Sequence, residues 1–208
     1  MTPYLVTILD KEEISDMLHA FHTCVGLPIQ VIDDNGQILQ SRGNTTSFCS
    51  LFHQFLPPAD KCSTLHIKAA RHAMELGETY IFSCHANLSH IVFPLINKNS
   101  LFGSILVGPF LMEDPDSTLI SGIAERYKLT PAMSLELYDE LPGVPRITPD
   151  KAGQLQKLVD HLLSPLIPGE RAVMLQNQQK AYQQARINET IQVYKEQKVQ
   201  PSLLFFHK

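Results

Sequence analysis

The sequence has no cluster of lysine and arginine and no long apolar run. Its 208 residues carry 17 basic and 21 acidic side chains, for a net charge of -4. A nucleic-acid surface needs a basic patch, and crossing a bilayer needs about 18 or more consecutive apolar residues. The first residues also lack the basic and apolar regions of a signal peptide. We therefore expect a cytoplasmic protein whose present residues contact neither DNA nor a membrane.

Motifs for disulfide scaffolds and for catalysis are also missing. The four cysteines are Cys24, Cys49, Cys62 and Cys84, spread widely and without a secretory signal, so reduced thiols are expected. No glycine-rich phosphate loop, nucleophile elbow, His-Glu-x-x-His or paired acidic motif appears. The sequence therefore predicts neither an enzyme nor a bound cofactor.

Two hydrophobic periodicities alternate along the chain. Helical spacing runs from Ile14 to Val25, and Asp34-Asn35-Gly36 predicts a hairpin turn between two short strands. Residues 48–55 are ambiguous between helix and strand. The predicted strands are 27–33, 37–41, 79–83, 90–96 and 101–107, and the other predicted helices are 61–76, 117–127, 131–141 and 149–163. Five strands interrupted by helices predict an α+β domain.

The segment from Gly169 to Lys198 differs in composition from the rest. It is rich in Gln, Lys, Ala and Glu, which favour helix, and has few apolar residues. Ile187, Ile191 and Tyr194 repeat at helical spacing, but a sustained heptad fails further back. We expect a solvated connecting helix that pairs with a second copy at one end.

The segment Cys84-His85-Ala86-Asn87 places polar groups between two apolar β-type runs. In a regular strand the neighbours Cys84 and His85 would point to opposite faces. Alternatively, the strand ends at Ser83 and a turn through Asn87 directs both inward, which we favour because Asn is common in turns. Buried polar groups cost about 1 to 3 kcal/mol each unless they are paired, so this segment is a candidate ligand site.

Cys49 and Cys62 each begin a helical segment, where the helix dipole favours a thiolate. With Cys84 and His85 they would make a Cys₃His zinc set, although no Cys-x₂₋₄-Cys knuckle supports it. A metal or redox sensor therefore stays open as an alternative. The remaining cysteine and several histidines fit packing roles, namely Cys24, His53, His66, His72 and His90.

Several short motifs together resemble the PocR sensory domain family over roughly residues 5 to 165. These motifs are Phe48-Cys49, Lys61-Cys62, Gly77, the run from Tyr80 to Leu88, Pro94–Ile96 and Gly103–Phe110. The resemblance implies a PAS-like antiparallel five-stranded sheet flanked by helices. It also implies the sensing of simple hydrocarbon derivatives such as small diols, in a chain fused to an AraC-type DNA-binding region or a histidine kinase. Residues 1–166 would then be the sensory domain and 167–208 a helical linker toward an output region outside this sequence.

A small diol such as 1,2-propanediol would need polar partners and apolar walls. The predicted ligand-binding residues are Cys49, Cys62, Cys84, His85 and Asn87 as polar groups, with Phe82, Phe93 and Phe110 as walls. The sequence does not distinguish a diol from glycerol or ethanolamine. A module that serves only dimerisation is a further alternative to a sensor.

Overall fold

Five strands form one antiparallel sheet, in the order β2-β1-β5-β4-β3, in the computed structural model, which describes residues 11–97, 100–114, 117–166 and 171–199. The strands are β1 (Ile29–Asp33), β2 (Ile38–Arg42), β3 (Tyr80–Ser83), β4 (Ser89–Asn97) and β5 (Ser100–Phe110). Every neighbouring pair is antiparallel. The predicted five-stranded antiparallel sheet is confirmed.

Seven α-helices accompany the sheet in the described residues. They are α1 (Lys11–Val25), α2 (Ser47–Phe55), α3 (Cys62–Leu76), α4 (Ser117–Tyr127), α5 (Pro131–Glu140), α6 (Pro149–Leu163) and α7 (Arg171–Val199). Short 3₁₀ turns follow α5 at Leu141–Gly143 and α6 at Ser164–Leu166. The α+β class and the C-terminal helix are confirmed, and the ambiguous segment 48–55 is helical.

Local signals explain where several elements begin and end. Thr130 and Thr148 cap α5 and α6 by accepting hydrogen bonds from backbone amides, and a proline opens each helix. Gly77 ends α3 in the left-handed conformation. The predicted hairpin forms because Gly36 has a φ of 81° and Asp33 Oδ1 accepts hydrogen bonds from the backbone amides of Asn35 and Gln37.

The two faces of the sheet pack against different helices. On one face, the core contains Ile29, Phe93 and Phe110 beneath α1 and α6. On the other face, Val92 and Leu106 pack against three alanines of α3. A third cluster joins α2, α4 and α5 beyond the end of the sheet. Because alanine side chains are short, α3 lies close to its face of the sheet.

The C-terminal helix α7 contacts the domain only near its beginning in the described residues. Met174 is buried in the core, and Asn177 Nδ2 donates to the Met74 carbonyl at 3.3 Å. Gln178 donates to Glu78 at 3.1 Å, just past the end of α3. Beyond Gln178, the side chains of α7 that the structure describes are exposed, apart from the half-buried Ala181. Residues 167–170, where the predicted domain boundary falls, lie outside the described residues.

Candidate functional site

A cavity of about 260 Å³ lies between the sheet and the two helices α2 and α3. We name it the α2–α3 cavity. It lies beside the short helix α2 and the first two turns of α3, and its opposite wall is formed by β1, β2 and the Gly108-Pro109 segment of β5. A pocket of this size is slightly below the range of about 300 to 1,000 Å³ that holds drug-sized ligands. The space therefore suits a small organic molecule.

Polar residues from both strands of the hairpin, both helices and the β3–β4 region line the cavity. They are Gln30, Ser41 and Arg42 of the β1–β2 hairpin, Thr45 before α2, Cys49 and His53 of α2, Cys62, Ser63 and His66 of α3, Cys84 after β3 and His90 of β4. Ser41, Thr45 and His53 are exposed, so this side of the cavity reaches the surface. Phe52, Ile32 and Ala86 supply apolar wall. The lining thus combines hydrogen-bonding groups with apolar surface.

His66 and His90 face one another across the junction of α3 and β4. Their ring centroids lie 5.3 Å apart. Burial lowers the pKa of His90 to about 4, and burial together with the neighbouring histidines lowers the pKa of His66 to about 3. Both imidazoles are therefore uncharged at neutral pH. His90 Nδ1 is buried and has no hydrogen-bond partner among the described residues.

Phe82 stands behind this histidine pair. It lies opposite His90 in the β3–β4 register, and their rings stack at 5.3 Å. The His66 ring approaches the edge of Phe82 at 5.9 Å. Phe82 does not line the cavity itself. Its packing fixes the orientation of the two imidazoles.

Three cysteines predicted as ligand-binding residues, Cys49, Cys62 and Cys84, all line the cavity. The sequence-based expectation of a helix-stabilised thiolate at Cys49 and Cys62 is wrong. Burial raises the pKa of Cys49, and burial together with the nearby Cys49 raises that of Cys62 to about 11. Burial raises the pKa of Cys84 to about 12. Desolvation outweighs the helix dipole here, so the thiols stay protonated.

The turn after β3 forms as we favoured, but the expectation that it directs both Cys84 and His85 inward is wrong for His85. The strand ends at Ser83, Cys84 N donates to the Leu88 carbonyl at 2.8 Å, and Asn87 N donates to the Cys84 carbonyl at 2.9 Å. Asn87 has a φ of 56°. Its side chain is exposed and does not line the cavity. His85 is half-buried and does not line it either, so only Cys84 of this segment faces the space together with Ala86.

Phe93 and Phe110 lie in the core on the far face of the sheet, with α1 and α6. Strand alternation explains this placement, because Phe93 points away from the face that carries His90 and Val92. Neither residue lines the cavity. The phenylalanine in the cavity wall is Phe52, which the sequence did not single out.

The proposed zinc set does not assemble. No group of three or more His, Cys, Asp or Glu side chains is arranged to hold a metal ion in the part of the chain that the structure describes. Cys62 Sγ instead contacts His53 Nε2, at 3.3 Å. His85 does not line the cavity with the three cysteines.

Sequence reasoning missed Gln30, Ser41, Ser63, His66 and His90 as lining residues. Two signals were available in retrospect. His90 begins an otherwise apolar strand, where a polar ring needs a partner. Ser63 directly follows Cys62, and His66 lies one helical turn beyond both of them, at i+4 from Cys62 and i+3 from Ser63, so the three share one face of the helix.

Comparison with known proteins matches residues 7–167 to the family described as "Sensory domain found in PocR". The chain is also 26% identical over 140 residues to "Regulatory protein PocR" of Salmonella typhimurium (strain LT2). This alignment covers 67% of the chain and 45% of that protein. The chain therefore spans less than half of this relative's length. Among the described helices, none combines the length and apolar character that a membrane span requires.

Proposed function

This chain belongs to the PocR sensory domain family, and from this premise we propose that it is the ligand-sensing part of a transcription regulator. The observation that carries the proposal is the α2–α3 cavity, which is lined by both polar and apolar side chains. The relative of Salmonella typhimurium is named a regulatory protein, which supports a role in regulation. We propose no catalytic activity for this domain.

We propose a small diol or a related hydrocarbon derivative, such as 1,2-propanediol, as the ligand. A three-carbon diol has about five heavy atoms, and about -1.5 kcal/mol per atom is the ceiling for very small ligands. Binding is then limited to about -7.5 kcal/mol, which corresponds to a micromolar dissociation constant. To approach this limit each hydroxyl needs a protein partner. Cys49, Cys62 and Cys84 contribute such groups beside the two histidines.

Helix α3 supports a route by which occupancy reaches the C-terminal helix. Its first turns line the cavity through Cys62, Ser63 and His66. Its last turn contacts α7, because the Met74 carbonyl accepts a bond from Asn177. A shift of α3 along or about its axis would change both contacts together. Only a ligand that binds the two positions of α3 with different affinity would move this equilibrium.

A second connection joins β3 to the helix before α7. Thr79 Oγ1 donates to Asp160 Oδ1 at 3.2 Å, and Gln156 of α6 donates to the Thr79 carbonyl. This contact supports the participation of α6 in the relay. The cavity, however, is lined by α3 and not by α6.

We further propose that α7 pairs with the same helix of a second copy. Five of its apolar side chains are exposed, namely Leu175, Tyr182, Ile187, Ile191 and Val193. Contact with DNA would belong to a region outside this sequence, in keeping with a relative more than twice as long as the aligned segment. Such a regulator would act in the cytoplasm.

A thermal-shift screen of small alcohols and diols, with elemental analysis of the purified protein, tests the proposed function. We expect 1,2-propanediol or a close relative to raise the melting temperature by at least 2 °C at millimolar concentration, and no stoichiometric metal. Stoichiometric zinc that is lost in Cys62→Ala would favour the metal-sensor alternative. A protein that responds to no compound and holds no metal would be a dimerisation module.

A further inference from the structure

The α2–α3 cavity contains no acidic side chain among the described residues that line it. The one lysine or arginine among them is Arg42, and its guanidinium leaves the cavity. Arg42 lies opposite Ile29 in the β1–β2 register, so its side chain shares the far face of the sheet. There it donates to Ser15 Oγ of α1 at 2.6 Å. Arg42 therefore offers no charge to a ligand.

Only histidines remain as ionisable lining groups apart from the thiols. His53 is exposed at the side that reaches the surface. His66 and His90 are the interior pair, and desolvation keeps them neutral, as their lowered pKa values indicate. The three thiols are protonated for the same reason. The interior of the cavity thus carries no full charge of either sign.

We propose that the α2–α3 cavity selects an uncharged hydroxylated ligand and rejects ammonium and carboxylate analogues of the same size, with His66 and His90 as the residues that determine this specificity. The proposal rests on the proposed function, because it assumes that the cavity binds a small molecule. It narrows the ligand class: an amino alcohol such as ethanolamine is excluded and a diol or polyol is retained.

The physical reason is the cost of desolvating a charge. An ion that enters a site without a counter-ion loses its hydration and gains no compensating ion pair. A neutral imidazole, by contrast, offers one donor and one acceptor. A hydroxyl group also donates and accepts, so it complements either nitrogen. His90 lines the cavity, and its buried Nδ1 has no hydrogen-bond partner among the described residues, so a ligand hydroxyl that reached this nitrogen would offset its desolvation cost.

Gln30 offers a means to reverse the selectivity. It lines the cavity, is half-buried, and lies opposite Ser41 in the hairpin register, with its side chain on the cavity face. Gln30→Glu keeps the shape of the side chain and adds one carboxylate. The variant would then hold a counter-ion for an ammonium group.

The experiment compares three compounds of similar size at pH 7: 1,2-propanediol, 1-amino-2-propanol and lactate. Thermal shift and titration calorimetry are used on the wild-type chain and on Gln30→Glu. For the wild type we expect binding of the diol and at least tenfold weaker binding of both charged compounds. For Gln30→Glu we expect 1-amino-2-propanol to bind at least tenfold more tightly than it binds the wild type.

The outcomes separate the two proposals. If the wild type binds the amine or lactate as tightly as the diol, the charge selectivity is overturned and the sensor function stands. If it binds none of the three, the proposed diol function fails, and the selectivity fails with it. An amine that gains nothing from Gln30→Glu would show that position 30 does not face the ligand, and would contradict the selectivity argument.

Two histidine variants test the residues themselves. His90→Gln keeps a donor and an acceptor, whereas His90→Phe keeps the ring and its stacking on Phe82 but removes both. We expect His90→Phe to bind the diol at least fivefold more weakly than His90→Gln does, with both variants folded by circular dichroism. His72→Phe, at an exposed position of helix α3 that does not line the cavity, is the control and should bind the diol like the wild type. Equal affinity in the two His90 variants would overturn the role of His90.

Discussion

The imidazole rings of His66 and His90 lie 5.3 Å apart and join helix α3 to strand β4 beside the α2–α3 cavity. Both pKa values lie below the ordinary value of 6.5, at about 3 and about 4. Above pH 6.5 the histidines are neutral in the folded and unfolded states alike. Between pH 6.5 and about 4 the unfolded chain binds protons that the folded chain does not. The free energy of unfolding should therefore fall as the pH falls through this window.

His90→Gln should make this pH dependence shallower. One proton difference contributes about 1.4 kcal/mol per pH unit, and the variant should lose up to this amount of slope between pH 6 and pH 4.5. Urea unfolding at several pH values measures it. His19→Gln, at an exposed site on α1, serves as the control. A slope that changes equally in both variants would contradict a buried neutral His90.

The contact between α3 and α7 leads to a prediction about Gly77. Its φ is 73°, and a β-carbon there would overlap the Met174 carbonyl oxygen of α7. Gly26, at the end of α1, has a similar φ of 76° but open space where its β-carbon would lie. Alanine at either position pays about 1 to 2 kcal/mol for the left-handed conformation. Gly77→Ala should cost about 1 to 3 kcal/mol more than Gly26→Ala, because α7 must also move.

Hydrogen exchange shows whether that extra cost reflects release of α7. In Gly77→Ala the amides from Met174 to Tyr182 should lose protection, and in Gly26→Ala they should not. If α3 relays ligand occupancy to α7, Gly77→Ala should also keep diol binding while the exchange of these amides becomes insensitive to diol. Unchanged protection in Gly77→Ala would contradict the observed packing of α3 on α7.

Substitutions of Asn87 test whether the ligand binds at the turn after β3, as the sequence predicted, or in the α2–α3 cavity. Its side chain is exposed, and its φ of 56° is one that glycine adopts freely. Asn87→Gly should therefore keep both the fold and the full thermal response to diol. Asn87→Ala should lose about 1 kcal/mol of stability through backbone strain alone and should also keep the response. A response lost in Asn87→Gly would place the ligand at the turn instead of in the cavity.

The sequence predicted the fold well because its signals are local. The Asn35-Gly36 turn, the threonine caps and the glycine that ends α3 each act within a few residues, and α4 and α6 match their predicted bounds. The cavity, by contrast, is formed by residues that are far apart in the sequence. It depends on β1 and β5 lying side by side at the centre of the sheet, and on α2 and α3 both packing on one face.

Phe93 and His90 illustrate what the sequence could and could not give. Alternation along β4 places them on opposite faces, so once His90 is assigned to the cavity, Phe93 is excluded. Nothing in the sequence, however, says which face carries the cavity. Similarly, a glycine inside a strand, such as Gly108, indicates a close backbone approach, and a β-carbon there would lie 2.9 Å from the Ser89 carbonyl oxygen of β4. The sequence alone does not show that Ser89 is the neighbour of Gly108, because this depends on the pairing of β4 with β5.

The thiols give a test of the redox alternative. Alkylation requires the thiolate, and the pKa values of Cys62 and Cys84, about 11 and about 12, keep this form scarce at pH 7.5. With iodoacetamide, Cys24, which is exposed, should react first, and Cys84 only after denaturation. Peptide mass spectrometry over time measures both rates. Rapid alkylation of Cys84 in the folded protein, or a Cys49–Cys62 disulfide formed by micromolar peroxide, would favour a redox sensor.

Pairing of α7 should depend on one side of the helix. Ile187 and Ile191 are one turn apart and exposed, and burying each side chain against a partner is worth about 1.5 to 3 kcal/mol. Ile187→Glu with Ile191→Glu should therefore convert a dimer into a monomer by sedimentation equilibrium. Ala185→Glu with Gln192→Glu adds the same charge on the opposite side of α7 and should leave the dimer intact. Because the contacts of α7 with the domain that the structure describes lie in its first turns, the monomeric variant should still bind diol with wild-type affinity, and a loss of binding would mean that the cavity requires the second copy.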